Sequence, residues 1–185
     1  AYTHYELESL PSGGWGYLHF PLSQRYAHGL GKQTLGMTGK FHTSWGDFNS
    51  YKNPAALDFE CLTMLALGAR CSIGDQLPPD GALDTATYDL IRGTYRKVRD
   101  LEPYCTDAVP IARIAVFTPE EFVNSPGSHK ATSERQPTSA MGFVRMLQEL
   151  HHPFDVVSSD RDLTPYDLII LPDEIPVDDA LADKL

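Results

Sequence analysis

The stretch that decides the fold is Thr34-Leu-Gly-Met-Thr-Gly-Lys-Phe-His42, then Asn53-Pro-Ala-Ala-Leu57 running on to Leu67-Gly68, then Ala69-Arg-Cys-Ser-Ile-Gly74. The first run reads as a strand over 34 to 42. Asn53 is a natural helix N-cap because its side chain can accept an orphan backbone N–H. Pro54 suits the first helical position, where no donor is lost, and Gly68 stops the helix after Leu67. A second short strand follows over 69 to 74. Strand, helix and strand in this order make a βα crossover, which brings the two strands side by side and parallel.

Working outward, the same unit recurs on both sides. Residues 2 to 10 read as a strand and pair with a helix near 21 to 30, across the glycine-rich Pro11-Ser-Gly-Gly-Trp-Gly-Tyr17. After Gly74 a turn-rich loop containing Pro78-Pro-Asp-Gly81 leads to a helix from Asp84 to about Leu101. Either a barrel or an open doubly wound sheet accommodates three such units. Past Glu102-Pro-Tyr104 the pattern restarts with the strand Ile111–Phe117, about twenty residues rich in Ser, Pro, Gly and charge, and a helix over Ser139–Leu150. Two short apolar strands follow, Asp155–Val157 and Tyr166–Leu171, and then a helix beginning near Pro176. This places a domain boundary near residue 107. The twenty-residue loop is too long for a simple connection and is expected to pack on a partner or another domain.

Composition narrows the function. The 185 residues carry 15 Lys and Arg against 25 Asp and Glu, a formal charge of −10, with 42% hydrophobic residues. No basic patch offsets that charge, which argues against nucleic acid as a partner. The longest apolar runs are of strand length, which argues against a membrane span. Cys61, Cys71 and Cys105 are odd in number and lack metal-ligand spacing, so they read as reduced, structural thiols in a cytoplasmic protein. His4, His19, His28 and His42 do not form a metal set. No cofactor or metal is expected. The absence of an initiator Met or leader, and a last helix with no cap, suggest an internal segment of a longer protein.

In a parallel α/β sheet, ligands meet the loops that follow the carboxyl ends of the strands. The first such end carries Glu6 and Glu8, whose side chains share a face roughly 6.6 Å apart by the standard strand rise. Two carboxylates facing a barrel interior are costly to bury unpaired and therefore point to function; on an exposed edge they are merely solvated. The second end, Thr38-Gly-Lys-Phe-His-Thr-Ser-Trp-Gly-Asp-Phe48, gathers Lys40, His42, Trp45 and Asp47. Rings that stack on a sugar's apolar faces, beside charged groups that bind hydroxyls, suit a carbohydrate. The third end gives Asp75 and Gln76, either ligand acceptors or caps of the next loop. Trp15 and Tyr17, among Gly13, Gly14 and Gly16, either wall a pocket or pack a tight turn. The glycines match neither a phosphate loop nor a dinucleotide fingerprint, and no Gly-x-Ser-x-Gly elbow is present.

Together, Glu8-Ser-Leu-Pro-Ser-Gly-Gly-Trp-Gly-Tyr17, Gly39-Lys-Phe-His-Thr-Ser-Trp-Gly-Asp-Phe48 and Leu67-Gly-Ala-Arg-Cys-Ser-Ile-Gly-Asp-Gln76 resemble the last three βα units of a β-galactosidase-like or α-amylase-like glycoside hydrolase barrel. Residues 108–185 resemble the start of the flavodoxin-like trimerisation domain that follows such a barrel. The resemblance implies an α/β protein with residues 1–107 as the C-terminal part of a TIM-type (β/α)8 barrel and 108–185 as the start of the trimerisation-type domain. It also implies a carbohydrate substrate, a carboxylate pair acting on an O-glycosidic bond, and a homo-oligomer. One departure stands out: trimeric β-galactosidases end the seventh strand with a nucleophilic Glu, whereas Lys40 and His42 stand here. Their acid/base Glu belongs to the fourth strand, which this chain lacks. The expected catalytic carboxylates are Glu8, then Glu6, with Asp47 third and Asp75 also available. Trp15, Tyr17, Lys40, His42, Trp45, Asp75 and Gln76 are the expected substrate contacts. The alternative is a carbohydrate-binding or assembly module without hydrolysis. Three units cannot close an eight-stranded barrel, so the chain alone is expected to be inactive and to self-associate through its sheet edges.

Overall fold

The computed structural model describes residues 2–119 and 138–185. It divides into two compact units, Ala1–Ala108 and Val109–Leu185. The long loop expected after Phe117 lies largely outside the described residues.

The first unit runs β1 (Tyr5–Glu8), a 3-10 turn (Pro11–Gly13), α1 (His19–His28), β2 (Thr34–Gly39), α2 (Pro54–Ala66), β3 (Arg70–Gly74) and α3 (Thr85–Cys105). The strands form one sheet in the order β1-β2-β3, parallel throughout. Asn53 caps α2 by accepting the Ala55 N–H at 2.9 Å, with Pro54 in the first turn, as read from the sequence. Asp84 caps α3 in the same way through Ala86. The strands are shorter than expected. β2 stops at Gly39 instead of residue 42 because the Lys40 carbonyl turns to accept the Lys52 N–H, which closes the following loop on itself. α3 runs past Leu101 to Cys105 and includes Pro103 in its last turn.

One face of the sheet is covered by helices. Leu7 and Cys71 pack against Phe20, Met64 and Ala69. Ile73, with Cys71, packs against Leu57, Cys61 and Val98. Since side chains alternate along a strand and partners in register share a face, the other face must carry Glu6, Glu8, Leu35, Met37, Arg70 and Ser72.

The second unit contains β4 (Ile114–Phe117), α4 (Thr138–Glu149), β5 (Asp155–Val157), β6 (Leu168–Ile170) and α5 (Asp179–Ala182). Its sheet has the order β5-β4-β6 and is also parallel. Ala115, Phe117, Val157, Leu163, Ile175 and Leu181 form its core. α4 closes at a pair of histidines: His151 takes a left-handed φ of 59°, and the His152 N–H reaches back to the Leu147 carbonyl.

Candidate functional site

The carboxyl end of the first sheet brings β1 and the loop after β2 together on the helix-free face. The Trp45 indole Nε1–H donates to Glu8 Oε1 at 2.5 Å, joining residues 37 apart in sequence. The ring lies over Gly74, where an added Cβ would sit 2.1 Å from the indole. Phe41 lies in the same way over Gly39, where a Cβ would meet its ring at 2.3 Å. Phe41 and Trp45 pack edge to face with centroids 4.9 Å apart. Gly39 and Gly74 are partners in register, so together they open a bare patch of backbone on which the two rings rest. The result is an aromatic floor with a carboxylate at its rim. Phe41 is buried, Trp45 half-exposed and Glu8 partly exposed, and Glu6 projects into solvent.

The remaining polar groups of the β2 loop are occupied in holding it. Lys40 is only 3% exposed; its ammonium donates to the Phe48 carbonyl at 2.9 Å and the Ser50 carbonyl at 3.4 Å, and sits 5.0 Å from the centre of the Tyr51 ring. Asp47 accepts the Thr43 N–H at 3.2 Å, the Thr43 hydroxyl at 2.9 Å and the Ser50 hydroxyl. Those hydroxyls, Ser50 first, hold its carboxyl below the usual range. A general acid needs the opposite shift, so this environment favours a turn-forming role for Asp47. His42 is exposed, with its N–H on Ser50 Oγ and its carbonyl accepting from Ser12 Oγ at 2.5 Å.

Ser12 and Gly13 dock the glycine-rich loop onto this segment. A Cβ on Gly13 would lie 2.0 Å from the Thr43 carbonyl oxygen, so the close approach that glycine permits is to the chain itself. Trp15 packs edge-on to His19 at 4.8 Å, and burial holds the His19 imidazole below its usual pKa. Tyr17 stands against Phe59 of α2, in the helix layer. From β3, Asp75 accepts the Gln76 N–H at 2.8 Å. Gln76 is buried, and its amide donates to the carbonyls of Trp45 at 3.2 Å and Asp47 at 3.0 Å. The structure therefore joins Glu8, Trp45, Asp47 and Gln76 in one network, with Lys40 beneath the loop as a strut.

Sequence reasoning missed three features. Phe41 and the glycine pair under the rings are one; alternation along two adjacent strands, both ending in Gly, could have suggested the bare patch. Another is a buried triad behind β2: Lys52 Nζ lies 2.6 Å from Glu60 Oε2 and 2.8 Å from Thr38 Oγ1, which itself donates to Glu60 Oε2 at 2.6 Å. Both charged side chains are nearly inaccessible, at 2% and 3%. Its signal was Glu60 itself, a charge among the buried positions Leu57, Cys61 and Met64. The third is Ser50, which ties His42 to Asp47. Among the described residues no three His, Cys, Asp or Glu side chains cluster as metal ligands, and no helix is long and apolar enough to cross a membrane.

The chain's structural neighbours are glycoside hydrolases, and it matches a part of their chains. In particular, it is similar to α-L-fucosidase isoenzyme 2 from Paenibacillus thiaminolyticus, with a TM-score of 0.88 and 49% identity over 98% of this chain and 27% of that one. It also resembles, in fold, the β-galactosidase from Bacillus circulans sp. alkalophilus, with a TM-score of 0.72 and 17% identity over 97% of this chain and 30% of that one. The β-galactosidase from the psychrophilic Marinomonas ef1 gives a TM-score of 0.67 and 15% identity over 98% and 34%. The chain thus spans between about a quarter and a third of the structures it matches. No protein-family model and no curated protein matches it.

Proposed function

We propose that this chain supplies the last three βα units of a TIM-type barrel, residues 1–107, and the start of a flavodoxin-like trimerisation-type domain, residues 108–185, to a cytoplasmic, homo-oligomeric glycoside hydrolase. Three free cysteines fit a reducing compartment. The observation that carries the reading is Glu8, held by the Trp45 indole at the rim of an aromatic floor, at the end of the sheet where such barrels place their chemistry.

In this reading Glu8 is the catalytic carboxylate of this segment. One oxygen is fixed by the indole and the other is free to act as nucleophile or base at the anomeric carbon. The proton donor to the leaving oxygen then comes from Glu6 or from another strand of the barrel. A gap of about 5.5 Å between the two carboxyls would give retention, and a wider one inversion. Trp45 and Phe41 offer the apolar surface on which a sugar face stacks, and His42, exposed beside them, offers a hydroxyl partner.

The 49% identity to an α-L-fucosidase favours an α-L-fucoside over a β-galactoside, because the likeness to the β-galactosidases is one of fold. L-fucose is a 6-deoxy sugar, and its methyl group suits the same aromatic surface. The test is hydrolysis of chromogenic α-L-fucoside and β-D-galactoside by the full-length protein and its Glu8→Gln variant. Turnover of the fucoside, abolished by the substitution in a folded protein, is expected. Near-normal turnover in the variant would remove Glu8 from the mechanism.

A further inference from the structure

The opposite end of the first sheet holds a feature unconnected with sugar chemistry. Cys71 on β3 and Cys61 on α2 are neighbours: the Cys71 thiol lies 3.1 Å from the Cys61 carbonyl oxygen, and the two side chains pack in one cluster with Leu57 and Val98. Their exposures differ. Cys61 is fully buried, while Cys71 is half-buried and lines a cleft of about 580 Å³ together with Arg70, Tyr95, Arg99, Glu102 and Cys105. A small, neutral oxidant entering that cleft meets Cys71 and finds Cys61 directly behind it.

We infer that Cys71 and Cys61 form a hydroperoxide-reactive pair, with Cys71 as the attacking thiol and Cys61 as the resolving one. The Cys71 thiolate attacks one oxygen of the hydroperoxide. The O–O bond breaks, an S–O bond forms, and the leaving hydroxide takes a proton to become water. The sulfur of Cys61 then attacks the Cys71 sulfenic acid, forming the S–S bond and releasing a second water with the Cys61 proton. Two thiols are oxidised by two electrons and one peroxide is reduced to two waters.

Electrostatics agree with the attacking role of Cys71. A hydrogen bond from Cys61 lowers the Cys71 thiol, outweighing its partial burial, whereas the hydrogen bond with Cys71 and burial push the Cys61 thiol far up. The more acidic thiol is therefore the one facing the cleft, and the thiol kept protonated lies behind it. The Cys71 thiol donates to the Cys61 carbonyl at 3.1 Å, which holds the two residues side by side. The bridge would tie α2, which carries Glu60, to the strand that leads into Gln76 and so to the Trp45 loop.

The pair is tested by exposing the folded full-length protein to a small excess of hydrogen peroxide, blocking free thiols, and digesting without reductant. A Cys61–Cys71 linked peptide that dithiothreitol removes is expected. Cys61→Ser should stop at a dimedone-trappable sulfenic acid on Cys71, and Cys71→Ser should give neither product. Because Cys61 is in the core and its variant could misfold, Cys105→Ser serves as the second variant, and its Cys61–Cys71 bridge should be unchanged. A bridge to Cys105, or a folded wild-type protein that links these cysteines only after urea is added, overturns the inference.

Discussion

The end of β1 and the loop after β2 present similar inventories of charge and aromaticity, yet the structure uses them oppositely. In the β2 loop Lys40 and Asp47 turn inward to carbonyls and hydroxyls of the same loop, so their charges build its shape. At β1, Glu8 is tied by a single N–H and Glu6 stands in solvent. A dense polar motif is thus the scaffold, and the sparser one is left free to meet a ligand. Buried charges are costly unless paired, so a loop that buries a lysine must consume that lysine's donors internally.

The sharpest way to break this contrast is Glu8→Gln in the full-length protein. Turnover should fall on the order of 1,000-fold, in the range for loss of a catalytic carboxylate, with an unchanged circular dichroism spectrum. A fall in stability instead would make Glu8 part of the scaffold too. On the scaffold side, Lys52→Met strips the buried partner from Glu60 and should destabilise the first unit by about 3–5 kcal/mol, read as a lower urea midpoint. A midpoint within error of wild type would show that the triad is not holding the β2 loop to α2.

Gly74→Ala joins the two regions. Its Cβ would displace the half-exposed Trp45 ring and with it the bond to Glu8, so turnover should drop roughly 10- to 100-fold, as expected for a hydrogen bond to a charged group, with little change in stability. Wild-type kinetics would mean that Glu8 does not need its indole. The smallest effect belongs to Asp47. Its folded pKa is depressed, so its contribution is full above the ordinary carboxylate pKa and is lost as pH falls through the lowered folded value. In a Trp15→Phe background, Trp45 fluorescence should report loop loosening on acidification over that window, and Asp47→Asn should flatten it. An identical acid response in both proteins would assign the change to another group.

Much of the frame was legible locally. Asn53, Pro54 and Gly68 marked α2 because caps and turn positions act over a few residues, and alternation alone put Glu6 and Glu8 on one face. The site was legible only in part. Trp45 and Glu8 were both candidates, but the bond between them spans 37 residues and depends on the strand register. Lys40 was expected at the ligand because its charge is visible in sequence while the carbonyls that absorb it are not.

By itself the sequence determined the βα order, the helix caps, the excess of acid and that the two glutamates of β1 share a face, since each follows from near-neighbour geometry or counting. Only the tertiary structure decided which charges remain free, that Gly39 and Gly74 make a seat for two rings, that Lys52 and Glu60 meet in the core, and that Cys61 and Cys71 touch. Those outcomes rest on parallel register and helix packing, which bring distant residues within a few ångströms and leave no periodic trace along the chain.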